Sequence, residues 1–335
     1  MGKQILTGLL LLPLIWVGLG GVHFSQAQTK LIQAIPAKSF GWLPLFVAQE
    51  KGFYRAEGLD IIAPVIAGNV GVTALLSSEV HLTNASPVMT AAMQGAPVKA
   101  IVFYYDRLTW VFMTLPEIRS FADLRAKNIA ITSYGGDMDS TTRMLLRSNG
   151  LTDKDYTLLP LGNDPQRILA LVKGRVSGGL FNPDSAAIAE SRLKGVKRLA
   201  FAGDLARTPF SGFGVRAQFL VDDREAVKKF LRATLRALVL TRDQPEEAAP
   251  VAAKIFSMDS QVALEAVQNI KGAISSKDPG GFSEQGMREW ISGTAKRIKR
   301  NPADIRIDDV ADLTLLRQVQ REMGIVCEGG YGCSK

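Results

Sequence analysis

Hydroxyl, amide and carboxylate side chains gather at four turns: "KSFGW" (38–42), "NASP" (84–87), "SYGGDMDST" (133–141) and "FNPDS" (181–185). Each turn joins a strand-like run to a helix-like one. A helix start presents unpaired N–H groups and a partial positive charge, which suits a carboxylate, sulfonate or phosphate. Ser, Thr, Asn and Asp also cap helices for structural reasons alone, so a single turn of this kind decides nothing. Four of them, with Phe40, Trp42, Tyr134 and Phe181 alongside, fit a shared cleft beyond the carboxyl ends of the strands of an open α/β sheet.

Catalytic patterns fail in turn. There is no G-x-S-x-G elbow, no G-x-x-x-x-G-K-[ST] loop and no H-E-x-x-H. "GFG" at 212–214 lacks the rest of a dinucleotide fingerprint. Asp137 and Asp139 stand two apart in a glycine-rich turn, a weak pairing for acid–base work. His81 sits in a strand-like run, where a structural role is the ordinary reading.

The elements that must position these turns alternate. From Gln28, strand-like "KLIQAI", "LDIIAPV", "EVHLTNA" and "VKAIVFYY" are separated by helix-like "PLFVAQEK", "VGVTALLSS" and "PVMTAAMQG". A second block follows with strands "NIAIT", "YTLLPLG", "VSGGLFN" and "VKRLAFA" and helices "STTRMLLRSNG", "DPQRILALVKG" and "PDSAAIAESRLKG". This rhythm predicts an α/β architecture. From Asp222 onward the pattern is almost wholly helical. In "FVAQEKGFYRAEGLDI" (46–61), Pro44 fits a first helical turn, Gly52 a left-handed stop and Gly58 a second one before a strand.

The chain has 335 residues, 47% apolar and 21% charged, which fits a globular protein of two domains. Its N-terminus runs from Lys3 through an uncharged apolar stretch, Ile5 to Leu19, to the small-x-small triplet Ser25-Gln26-Ala27. That order predicts a secretory signal peptide over 1–27, with a retained anchor as the alternative, and hence an exported, periplasmic protein. The net charge is +8, or +7 without Lys3, but the basic residues form short scattered clusters. Solvated faces explain these better than a nucleic-acid surface. Cys327 and Cys333, in "CEGGYGC", predict a small disulfide in an exported chain. A metal site is the poorer reading, because the chain beyond residue 27 offers one histidine.

In order, "PLFVAQEKGFYRAEGLDI", "ALLSSEVHLTNAS", "AAMQGAPVKAIV", "FADLRAKNIAIT" and "RILALVKGRVSGGL" resemble the periplasmic solute-binding proteins of nitrate/sulfonate/taurine-type ABC importers. That group also includes pyrimidine-precursor binders of thiamine metabolism. The resemblance covers about residues 30–215. It implies a periplasmic-binding-protein type II fold, with two α/β lobes closing on a ligand. Lobe one would comprise 28–110 and 216–335 (the second part mostly helical) and lobe two 111–215, with crossover strands near "YYDRLTWVFM" and "FSGFGVRAQ". Where the family usually has Gly and acidic residues, this chain has Ser78, His81, Ser177 and Gly178. Asp137 and Asp139 would repel a close anion, so a zwitterion, amine or neutral heterocycle is as credible a ligand as a sulfonate.

The expectation is a monomeric, non-catalytic receptor that needs no cofactor and no nucleic acid. It would take up a small polar or anionic organic solute and hand it to an ABC permease with its ATPase. Ser39, Phe40 and Trp42 would wall one side, with Asn84 and Ser86 as polar contacts. Tyr134, Gly135, Ser140 and Thr141 would form the opposing helix start, and Asn182 and Asp184 a second one. Arg107 is a candidate counter-charge, its alternative being a surface salt bridge. A ligand-sensing partner of a membrane signalling protein and, less favoured, a pyrimidine-precursor-processing enzyme are the rival readings.

Overall fold

The structure, a computed structural model, describes residues 28–134, 137–205 and 207–333. The expected signal segment and Gly135 lie outside them. Among the described residues no helix is long and apolar enough to cross a membrane.

Two bodies share the chain. In the first, β1 (Thr29–Ile32) pairs in parallel with β2 (Leu59–Ile62). β3 (Thr83–Asn84), β10 (Phe210–Arg216) and β4 (Val98–Tyr105) form a second sheet with β10 in the middle, antiparallel to both neighbours. "EVHLTNA" gives only two ladder residues here. Leu82 instead makes an isolated bridge to Gln33. The second body is a five-stranded sheet in the order β7 (Tyr156–Pro160), β6 (Lys127–Ile131), β8 (Gly178–Phe181), β5 (Val111–Thr114), β9 (Lys197–Phe201).

Helices α1 (Leu43–Glu50), α2 (Phe53–Ala56), α3 (Gly68–Leu76) and α4 (Ala85–Met93) alternate with the first strands. α5 (Asp137–Ser148), α6 (Asp164–Val172) and α7 (Pro183–Arg192) belong to the second body. α8 (Phe219–Asp222), the 20-residue α9 (Arg224–Asp243), α10 (Pro245–Phe256), α11 (Ser260–Lys271), α12 (Glu284–Arg297), α13 (Ile307–Val310) and α14 (Thr314–Glu322) follow. α9 packs against α1, α2, α10 and α14, so the helical end of the chain covers the sheets at its beginning.

Local chemistry explains these boundaries. Pro44 lies in the first turn of α1, where a missing N–H breaks no helical bond. Gly52 takes φ 71° between α1 and α2, a conformation costly for a residue with Cβ. Asn163 and Gln166 form a reciprocal capping box at α6. In the second sheet, period-two alternation sends side chains to both faces. Trp110, Phe112, Ile129, Ile131 and Leu180 fill one core, while Val111, Met113, Ala130 and Phe181 fill the other. A sheet covered on both sides accounts for these near-continuous apolar strands.

Among the described residues the chain passes between the bodies twice, at residues 106–110 and over 202–205 and 207–209. The first passage ends in β5, within the segment expected as a crossover strand. The second precedes "FSGFGVRAQ", most of which forms β10 at the centre of a sheet. Cys327 and Cys333 are joined in a disulfide. The Arg317 guanidinium donates to the Tyr331 carbonyl and pairs with buried Asp278, holding the C-terminal segment to the first body.

Candidate functional site

Both passages border a cleft of about 500 Å³. One wall comes from the first body. Asn84 ends β3 and caps α4, its Oδ1 accepting the Ser86 N–H at 3.4 Å, so both residues stand at the same helix start. Ser39 precedes and Trp42 ends a single 3-10 turn (Phe40–Trp42) that also brings Gly41 to the wall. A Cβ on Gly41 would come within 2.9 Å of Ser211 Oγ, so a larger residue there would require the Ser211 hydroxyl to turn aside. The second body supplies Thr132, Met138, Ser140, Thr141 and Asn182 from the strand ends and helix starts of its sheet.

Aromatic rings dominate the remainder: Trp42, Phe103, Trp110, Phe210 and Trp290 all line the cleft. They are braced by other rings. Trp110 meets Phe210 edge-on with centroids 4.9 Å apart, and Trp42 sits 4.9 Å from Phe213. Such contacts favour fixed side-chain orientations. Charged residues on the lining are few and mixed: Asp137 and Glu289 against Arg297.

Seven of the sequence candidates are thereby brought together: Ser39, Trp42, Asn84, Ser86, Ser140, Thr141 and Asn182. Four are placed elsewhere. Phe40 is fully buried, with its ring against Phe256 at 4.9 Å, so it supports the turn from behind rather than facing the cleft. Arg107 lies beside Asp106 at 3.4 Å and is absent from the lining. Tyr134 is 62% exposed and its hydroxyl donates to the Leu158 carbonyl at 2.9 Å, which turns it along the sheet edge. Asp184 lies buried between the bodies, where its carboxylate accepts the Phe40 backbone N–H at 3.0 Å. Burial pushes its carboxyl up to about 6, against the pull of that N–H bond, and nearby Asp164 adds to the rise.

Asp139, expected beside Asp137 in the glycine-rich turn, is directed to Arg143 at 2.8 Å. His81 also has a structural placement. Its Nδ1 accepts the Ile32 N–H at 3.1 Å, and burial lowers its pKa. Ser78 stands where the resembling family usually has Gly, and it keeps the left-handed backbone, with φ 69°.

Sequence reasoning missed α12. Glu289, Trp290, Gly293, Thr294 and Arg297 line the cleft from one face of this helix. The available signal was the i, i+4, i+7 spacing of Trp290, Thr294 and Arg297 within "REWISGTAKR".

The chain belongs to the NMT1/THI5-like family, whose model matches residues 39–248. A protein named riboflavin-binding protein RibY, from Chloroflexus aurantiacus, is 26% identical over 231 residues, 67% of this chain and 64% of the relative. A 4-amino-5-hydroxymethyl-2-methylpyrimidine phosphate synthase of Schizosaccharomyces pombe is 27% identical over 143 residues, 41% of this chain and 40% of the enzyme. Thus the chain matches less than two thirds of the length of either relative. Among solved structures, the periplasmic nitrate-binding protein NrtA of Synechocystis PCC 6803 superposes with a TM-score of 0.73 at 15% identity, covering 91% of this chain and 92% of NrtA. The periplasmic aliphatic sulphonate-binding protein SsuA of Escherichia coli gives 0.65 at 18%, covering 81% and 92%. The fold is that of the periplasmic binding proteins.

Proposed function

We propose that the protein is an exported, periplasmic receptor of an ABC importer, and that it captures a flat aromatic solute between two closing lobes. Residues 28–110 and 216–335 form one lobe and 111–215 the other, and the closed, loaded form is handed to the permease. The observation that carries this reading is the cleft wall of Trp42, Phe103, Trp110, Phe210 and Trp290. Five aromatic rings offer stacking surface to a planar ligand, and a cleft of about 500 Å³ holds a ring system of two or three fused cycles. With two carboxylates and one guanidinium on its lining, the cleft is poorly suited to a bare inorganic anion. The relative named for riboflavin supports the same ligand shape.

Thermal unfolding of the purified protein tests the reading, with riboflavin, lumichrome, 4-amino-5-hydroxymethyl-2-methylpyrimidine, taurine and nitrate as candidates. A ligand at one hundred times its Kd adds about 2.7 kcal/mol, a rise of several degrees in Tm. A rise with the fused-ring compounds supports an aromatic receptor. A rise with nitrate or taurine alone overturns the ligand class. Chemical conversion of the pyrimidine would put the enzymatic reading first.

A further inference from the structure

Asn182 occupies the N-cap position of α7, yet its side chain does not cap that helix. Instead Nδ2 donates to Asp164 Oδ2 at 3.0 Å, and the Asn182 backbone N–H donates to the same oxygen at 3.0 Å. The other Asp164 oxygen is taken by Arg167, which also donates to the Gly162 carbonyl. Arg167 is fully buried, with its guanidinium 5.4 Å from the centre of the Phe181 ring. A carboxylate paired with a guanidinium accepts hydrogen bonds and does not donate them, so it fixes which end of the Asn182 amide it faces. The planar amide then turns Oδ1 away from Asp164. Asn182 is half-buried on the cleft lining, and no group among the described residues donates to that oxygen.

Asn84, on the opposite wall, is arranged in the reverse sense. Its Oδ1 is engaged by the Ser86 N–H, which leaves its amide N–H groups on offer.

We propose that Asn182 is a specificity-determining residue: it presents a fixed carbonyl acceptor to the solute, opposite the N–H donors of Asn84. The inference rests on the receptor reading above and deepens it. The preferred solute carries an N–H or O–H donor on one edge and an acceptor on the other. Asp164 and Arg167 act through Asn182 and are positioning residues. A solute without a donor would strip water from Oδ1 and leave it unpaired, which weakens binding.

Isothermal titration of the purified protein with matched probes tests this. Theophylline and caffeine differ in one ring N–H, as benzamide and N,N-dimethylbenzamide differ in amide N–H groups. Uracil and 1,3-dimethyluracil make a third pair, and nitrate and benzenesulfonate serve as donor-free anions. The N–H member of a pair should bind about tenfold more tightly or better. Asn182→Ala should bring the ratio close to one. Asp164→Asn should shrink or reverse the ratio, whereas a purely structural role would weaken both members alike. The comparison within wild type needs no variant to fold. Methylated members or donor-free anions binding as tightly as N–H members would overturn the inference and leave the receptor reading intact. If neither these probes nor any compound of the thermal panel binds, the receptor reading has failed and this inference with it.

Discussion

The Asp184 carboxylate accepts the backbone N–H of Phe40 at 3.0 Å, a buried bond that ties the start of α7 to the turn before α1. The Phe40 carbonyl in turn accepts the Tyr105 hydroxyl at 2.8 Å. One residue's backbone thus links the second body to the strand that leads out of the first. Ala187 and Ile188, further along α7, pack into the first body's core, so the link lies in a broader contact.

Stability should depend on pH through Asp184. Its carboxyl is raised from 3.8 to about 6, chiefly by burial, with Asp164 adding to the rise and its N–H partners opposing it. The raised value means that the protonated acid favours the folded state. That contribution is full below about 3.8 and is lost as pH rises toward 6. The displacement corresponds to roughly 3 kcal/mol. Asp184→Asn, which keeps the shape without the charge, should therefore gain on wild type between pH 4 and pH 7 by up to about that amount. Chemical denaturation of both proteins across this range measures it. A stability difference that does not change with pH would show that Asp184 does not titrate as described.

All three tryptophans among the described residues, Trp42, Trp110 and Trp290, line the cleft. A stacked ligand should therefore quench or shift most of the protein's tryptophan emission. Trp290→Ala should weaken binding by at least about 1–2 kcal/mol, roughly tenfold or more. The ring is half-buried and packs on the first body's core, so the unfolding midpoint without ligand should fall as well. Affinities are therefore compared where both proteins are folded. Fluorescence titration of both proteins provides the check. Unchanged affinity in the variant would remove α12 from the binding surface.

Cys327→Ser should lower stability by about 2 kcal/mol, the chain-entropy value for a loop this short. The segment would remain docked, because Arg317 still donates to the Tyr331 carbonyl. Denaturation with and without reductant should thus separate the two proteins only under oxidising conditions. An equal response to reductant in both would argue against the disulfide.

Ser78→Gly should stabilise the protein by about 0.5–1 kcal/mol. A left-handed conformation costs a residue with Cβ about 1–2 kcal/mol, and the added freedom of an unfolded glycine offsets part of the gain. A thermal scan reads the effect directly, and a drop in Tm would mean that the Ser78 side chain has an unrecognised role.

Much of the fold was legible because local rules agree with it. Pro44, Gly52 and Gly58 bound α1 and α2 where their backbone preferences predict. The strands of the second body are near-continuously apolar, as a sheet covered on both faces requires. β5 falls inside "YYDRLTWVFM", where a crossover strand was expected. In the cleft, local signals located the turns but not the direction of each ring. Phe40 and Trp42 are alike in type and two positions apart. Only the arrival of Phe256, from a helix far along the chain, decides that Phe40 turns inward. Trp290 likewise reaches the cleft through long-range packing that no short window of sequence contains. Asp184 was read as a ligand contact because its place at a helix start is the same whether it faces a solute or another part of the chain.

The placement of α12 also bears on inheritance. The stretch that marks this chain as a family member ends at residue 248, and Trp290 and Arg297 lie beyond it. Two descendants could keep the shared portion almost intact while exchanging the helix that closes the cleft's last wall. On the receptor reading proposed above, solute preference can then drift faster than kinship fades. Sorting relatives by solute would mean comparing α12 rather than the stretch that reveals their ancestry.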